Sequence, residues 1–208
     1  MSDPSPLIHI VDDDAAYRAA VARLLEASGY RVALYASAAQ LLAKSPPLEP
    51  GCILLDVQMD GLSGLELQER LAASGNRLPI VFLTGHADVP SSVRAIKAGA
   101  EDFLTKPAPK DVLLAAVQRA LARFRVAAEN DEKIGALRAR LAKLTPRERE
   151  VFDLVVRGRL NKQIAHQLGT SERTIKAHRH SIVNKLQTQS VAELVLLAER
   201  VGILEQAR

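Results

Sequence analysis

The most constraining feature of this sequence is a pattern that stops. Over residues 7–124, short apolar runs alternate five times with amphipathic helical stretches, and after about residue 125 the strand signal is gone. The runs are "LIHIV" (7–11), "RVALY" (31–35), "CILLD" (52–56), "PIVFLT" (79–84) and "EDFLT" (101–105). Between and after them, 15–28, 37–44, 64–74, 89–98 and 109–124 carry helix-period apolar residues, with Gly29, Gly75 and Gly99 as turn signals. Strand then helix, repeated in this way, predicts a parallel sheet covered by helices on both faces. Further on, "KIGALRARLAKL" places Ile134, Leu137, Leu141 and Leu144 at 3-4-3 spacing, an amphipathic helix with coiled-coil-like character. From Leu144 onward the chain reads as helix throughout. The expected organisation is an α/β domain over 1–124, a helical linker over 125–143 and an all-α domain over 144–208.

Charge divides at the same place. Residues 1–120 hold 11 Lys or Arg against 14 Asp or Glu, while residues 121–208 hold 17 against 10. An acidic front and a basic rear suggest different partners, the rear one a polyanion. No basic leader with a long apolar core opens the chain, and no stretch reaches the roughly 20 apolar residues of a membrane span. The single cysteine, Cys52, can form no disulfide within the chain and reads as a small buried apolar residue. These features together suggest a cytoplasmic protein without a membrane partner.

The α/β half concentrates polar residues where its strands end. Asp12, Asp13 and Asp14 follow the first strand, Asp56 ends the third, Thr84 the fourth, and Thr105 and Lys106 the fifth. Ligands of open parallel sheets bind outside those carboxyl ends. A single Asp there is usually a helix cap or turn former, but such residues on four separate strands face one crevice. Carboxylates gathered without His or Cys call for a hard cation, Mg²⁺ or Mn²⁺. A lysine and a hydroxyl beside that cation can hold anionic oxygens, so the set reads as a phosphoryl-transfer site with Asp56 as acceptor. A mononucleotide site would need a glycine-rich loop after the first strand, where "VDDDAAYR" offers carboxylates instead.

In the rear half, Thr145-Pro146 with Glu148 is a helix start, Gly158 a stop, and "NKQIAHQLG" a short second helix with Asn161 as its expected cap. Ser171 caps a third helix running to about Leu186, and Ser190 opens a fourth. Two helices joined by a tight turn holding glycine form a helix-turn-helix. At about 100° per residue, Ile175, Ile182 and Leu186 make the buried stripe of the third helix. Arg173, Lys176, Ala177, His180 and Asn184 fall on the opposite face, Arg179 and Lys185 on its flanks, and His178 near the core. Such a face suits a helix laid in a DNA major groove.

Through "VDDD", "LLDVQMDGLSGLEL", "PIVFLTGHAD" and "AIKAGAEDFLTKP", the front half resembles the receiver domain of two-component response regulators. Through "LTPREREV", "GRLNKQIAHQLGTSERTIKAHRHSIVNKL" and Ser190-x-x-Glu193-Leu194, the rear half resembles the LuxR-type helix-turn-helix. Together the chain resembles a NarL/FixJ-type response regulator, closest to the FixJ branch. The resemblance implies a flavodoxin-like fold in front and a four-helix DNA-binding domain behind. It also implies a transcription regulator, rather than an enzyme with a substrate of its own, phosphorylated on Asp56 by a sensor histidine kinase and dimerising on promoter DNA. Asp12, Asp13, Asp56 and the Gln58 carbonyl would hold the metal, with Asp12 bonded to it directly or through water. Thr84 and Lys106 would meet the phosphoryl group, Thr84 and Phe103 would switch, and Lys106-Pro107 would be cis. Gln58 and His86 would tune phosphoryl lifetime, and Lys176, Ala177 and His180 would stand at base-reading positions. Asp14 reads as a helix cap or a further acid behind the metal, with the cap favoured. Two residues depart from the family's habit: Asp60, where proline is usual, and Ala108, where phenylalanine is common.

Overall fold

The computed structural model describes residues 6–44, 49–85 and 88–204. Chain contacts divide it into two compact units, Met1–Ala127 and Ala128–Arg208.

The first unit alternates as expected: β1 (Leu7–Val11), α1 (Ala15–Ala27), β2 (Arg31–Tyr35), α2 (Ala38–Leu42), β3 (Gly51–Asp56), α3 (Gly64–Ala73), β4 (Ile80–Thr84), α4 (Val89–Lys97) and β5 (Asp102–Thr105), followed by α5 (Lys110–Leu141). All strand pairs are parallel, in the order β2-β1-β3-β4-β5. Strand side chains alternate between two cores, because successive residues of a strand face opposite ways. Ile8, Ile10, Cys52, Leu54, Val81 and Leu83 pack against α1 and α5. Val11, Ile53, Leu55, Ile80 and Phe82 pack against α2, α3 and α4. A strand buried on both faces needs a continuous apolar run, which is why β1, β3 and β4 read so plainly. Cys52 is wholly buried, and burial pushes its thiol up to about 12, so it is the inert apolar residue expected.

One expectation needs redrawing. The helix over 109–124 and the linker helix over 125–143 are a single helix, α5. Nothing between Lys110 and Leu141 breaks it; residues 125–133 are exposed and polar enough to hide the helical period, without being unable to form a helix. Its Leu137 and Leu141, together with Leu144 just beyond its end, pack into the core of the second unit, so most of the coiled-coil-like stripe is spent within that unit.

The second unit continues with α6 (Pro146–Val156), α7 (Asn161–Gln167), α8 (Glu172–Leu186) and α9 (Val191–Arg200). Thr145 and Glu148 form the reciprocal capping box that starts α6, and Ser171 and Ser190 cap α8 and α9. Asn161 is not a cap: the cap position is Leu160, whose backbone N–H donates to Gln163 Oε1 at 2.9 Å. The Asn161 side chain instead accepts a hydrogen bond from Arg179 at 2.8 Å. Gly169, at φ 61°, makes the turn between α7 and α8 in a left-handed conformation that glycine adopts cheaply. Among the described residues, no helix is long and apolar enough to cross a membrane.

Candidate functional site: an acidic cluster at the sheet edge and a basic helix face

Strand order reverses its direction of growth between β1 and β3, and a crevice opens there at the carboxyl ends. Asp12 follows β1 and Asp56 ends β3, so both carboxylates stand at that point. Thr84 ends β4, paired with Thr105 of β5, and Lys106 is the next residue. Asp12, Asp56 and Thr84 are buried, whereas Asp13 is exposed.

Lys106 binds the cluster together. Its ammonium lies 2.7 Å from Asp12 Oδ2 and 2.7 Å from Asp56 Oδ2. Burial disfavours that ammonium, but hydrogen bonds and charge from Asp12 and Asp56 outweigh it, and the Lys106 pKa is raised. Asp12 shows the opposite balance. Burial lifts its carboxyl above the ordinary aspartate range, more than Lys106 lowers it, and Asp56 adds repulsion. Backbone donors fix the other oxygens: Asp14 N–H reaches Asp12 Oδ1 at 3.0 Å, Gln58 N–H reaches Asp56 Oδ1 at 3.2 Å, and Asp60 N–H reaches Asp13 Oδ2 at 3.2 Å. Gly64 lets α3 start against Asp56, because a Cβ there would come within 2.0 Å of the Asp56 carbonyl oxygen.

Oxygens of Asp12, Asp13 and Asp56 all lie within 4.8 Å of one another. Asp12 Oδ2 is buried with no aligned hydrogen-bond donor among the described residues, although it forms an ion pair with Lys106. Three converging carboxylates with a single ammonium among them fit a divalent cation. Gln58 and Asp60 line the opening beside Asp13. Asp14 is the α1 cap, accepting from the Ala16 and Tyr17 backbones. The Lys106-Pro107 bond is cis, as the resemblance implied. Phe103 is half-buried beside Phe82, ring centroids 5.9 Å apart. His86 lies outside the described residues.

Sequence reasoning passed over Tyr17, whose ring centroid is 4.7 Å from Lys106 Nζ. The two residues belong to different motifs far apart in the chain, and no spacing rule joins them. It also read Glu148 only as a capping residue. That carboxylate is buried and accepts hydrogen bonds from Ser181 Oγ and from Lys185 Nζ, at 2.6 and 2.7 Å.

On α8, Ile175, Ile182 and Leu186 are buried, and Arg173, Lys176, Ala177, His180 and Asn184 are exposed. His180 and Asn184 approach one another at 3.1 Å. His178 is half-buried. Of the flanking cations, Arg179 is engaged with Asn161 and Lys185 with Glu148.

The family described as response regulator receiver domain matches residues 8–118, and the luxR family of bacterial regulatory proteins matches residues 142–198. With the sheet order and the acidic cluster, these matches define the class: a receiver followed by a LuxR-type DNA-binding domain. The chain is 44% identical to the response regulator protein TmoT of Ectopseudomonas mendocina, over 96% of this chain and 91% of that one. It is 41% identical to the transcriptional regulatory protein FixJ of Azorhizobium caulinodans, over 94% of this chain and 93% of that one. The solved response regulator StyR superposes with a TM-score of 0.81 at 42% identity, over 94% of this chain and 99% of that one. The chain belongs to the two-component response regulators, among the FixJ-like transcriptional regulators.

Proposed function

We propose that Asp56 accepts a phosphoryl group from a histidine kinase and that this event controls DNA binding by α8. The observation that carries the reading is the Lys106 ammonium at 2.7 Å from both Asp12 and Asp56, beside a third carboxylate. Asp12, Asp13 and Asp56, with the Gln58 carbonyl, would hold Mg²⁺, or Mn²⁺ in its place. The cation supplies charge neutralisation for the transferring phosphoryl oxygens. An Asp56 oxygen attacks the phosphorus, the bond from phosphorus to the donor histidine nitrogen breaks, and that nitrogen leaves with the electron pair. Lys106 and Thr84 then meet the phosphoryl oxygens, and Thr84 and Phe103 carry the change outward. The Gln58 side chain stands beside the acyl phosphate and sets its exposure to water.

Phosphorylation leads in this reading to a homodimer through α4, β5 and the start of α5, where Val93, Ile96, Lys97 and Lys110 are all exposed. The dimer presents two α8 helices to promoter DNA, with Arg173, Lys176, Ala177, His180 and Asn184 toward it and Arg179 and Lys185 at the flanks. Incubation with acetyl phosphate and Mg²⁺ tests the acceptor: the wild type should gain acid-labile phosphate, and Asp56→Asn should gain none. Uptake by Asp56→Asn at the wild-type rate would overturn the assignment.

A further inference from the structure

Tyr17 occupies the first turn of α1, and Asp14 fixes the start of that turn by accepting from the Tyr17 backbone N–H at 3.0 Å. Its ring lies against the Lys106 ammonium, 4.7 Å from nitrogen to centroid. The same ammonium meets Asp12 and Asp56, so charge grips it on one side and a π face on another. The ring is itself held. Tyr17 and Ala108 both pack against the core between the sheet and α1 and α5.

This grip matters most when Asp56 changes. Once an Asp56 oxygen becomes the bridging oxygen of an acyl phosphate, one of the two carboxylate charges on Lys106 is gone and Asp12 alone remains of the pair. A lysine on its flexible stem is then held less firmly in place. The ring does not change in that step and still attracts the ammonium. We propose that Tyr17 is a positioning residue for phosphoryl acceptance, its ring face keeping the Lys106 ammonium where the incoming phosphoryl oxygens arrive. The proposal rests on the reading of Asp56 as acceptor and adds to it a residue outside the strand-end set.

The test uses the full chain, with acetyl phosphate and Mg²⁺ as probe. Tyr17→Phe keeps the ring and loses the hydroxyl; Tyr17→Leu keeps apolar bulk and loses the ring. The initial rate of acid-labile phosphate formation at saturating Mg²⁺ should fall about three- to tenfold in Tyr17→Leu and stay within about twofold of wild type in Tyr17→Phe. The Mg²⁺ concentration for half-maximal rate should not move, because the carboxylates are untouched. Independently of phosphorylation, ¹³C-labelled lysine should show a Lys106 ε-methylene signal displaced upfield by the ring. That displacement should persist in Tyr17→Phe and vanish in Tyr17→Leu, with Lys106→Arg identifying the signal. A wild-type rate in Tyr17→Leu, or an equal loss in both variants, would overturn the proposal. Should Tyr17→Leu fail to fold, an undisplaced Lys106 signal in the wild-type chain would overturn it. A wild type that takes up no phosphate would sink the acceptor reading and this proposal together, whereas a labelled wild type with an equally fast Tyr17→Leu would sink this proposal alone.

Discussion

Lys185 Nζ lies 2.7 Å from Glu148 Oε2, joining the last turn of α8 to the first turn of α6. Ser181 donates to the other oxygen of the same carboxylate, and the Thr145 backbone N–H donates to Oε2 at 2.7 Å. These partners, Lys185 first, push the Glu148 pKa down to about 2. One side chain thus caps α6 and fixes how α8 packs on it.

The cost of removing that carboxylate follows. Glu148→Ala should lower stability by about 2–4 kcal/mol, because it strands a half-buried ammonium and a hydroxyl. The pH dependence has a definite sign. A depressed folded pKa means that the ionised carboxylate stabilises the fold above the unfolded value of 4.5, and that this contribution is lost as pH falls toward about 2. The gap in unfolding midpoint between wild type and Glu148→Gln should therefore be full at pH 7 and close across that window. A gap independent of pH would refute the assignment. Lys185→Ala should also lose stability, since it leaves Glu148 buried without its cation.

Asp12 should behave in the contrary way. Burial raises its pKa despite Lys106, so the ionised side chain works against folding as pH rises through the raised value. Asp12→Asn can keep the acceptor for the Asp14 backbone N–H and removes the charge. At pH 7 without divalent cation it should unfold at a higher temperature than wild type, while its Mg²⁺ affinity, measured by calorimetry, falls at least about tenfold. Lower stability together with unchanged Mg²⁺ affinity would contradict both halves.

What could be read from the sequence, and what could not, has a physical pattern. Strands β1, β3 and β4 are buried on both faces, so their apolar runs stood out, and strand-end residues inherit their position from the strands. The buried stripe of α8 was legible because helical period and burial coincide at Ile175, Ile182 and Leu186. The length of α5 was not, because an exposed middle carries no apolar period to read. Asn161 was misplaced by one residue, since a good cap residue can serve equally as an acceptor for Arg179. Tyr17 beside Lys106 and Glu148 beside Lys185 arise only from tertiary approach, which one sequence without its fold does not encode in any local pattern.

The proposed dimer face makes its own prediction. Ile96 is 48% exposed and Val93 44% exposed on α4, a large apolar area for a helix with solvent on that side. Phosphorylated wild type should sediment as a dimer, and Ile96→Glu should remain monomeric at the same concentration while taking up phosphate at the wild-type rate. A monomer for fully phosphorylated wild type at high concentration would remove the dimer from the mechanism.

The final prediction separates base reading from backbone attraction on α8. Lys176 and Arg173 are both exposed cations near the start of the helix, yet they stand at different angles to its buried stripe. On the proposed reading Lys176, with Ala177 and His180, faces base edges, so Lys176→Ala should cost about 1–3 kcal/mol on the specific site and relax base preference there. The same reading gives exposed Arg173, in the first turn after the Ser171 cap, a phosphate partner, so Arg173→Ala should weaken all sequences alike and reduce the salt slope by about one unit. Half-buried His178 should give neither effect: His178→Ala lowers the unfolding temperature and leaves the specificity ratio unchanged. The salt slope and that ratio distinguish the roles because a phosphate contact carries no sequence information. Equal weakening of specific and random DNA by Lys176→Ala would mean that the outer face of α8 holds only the backbone.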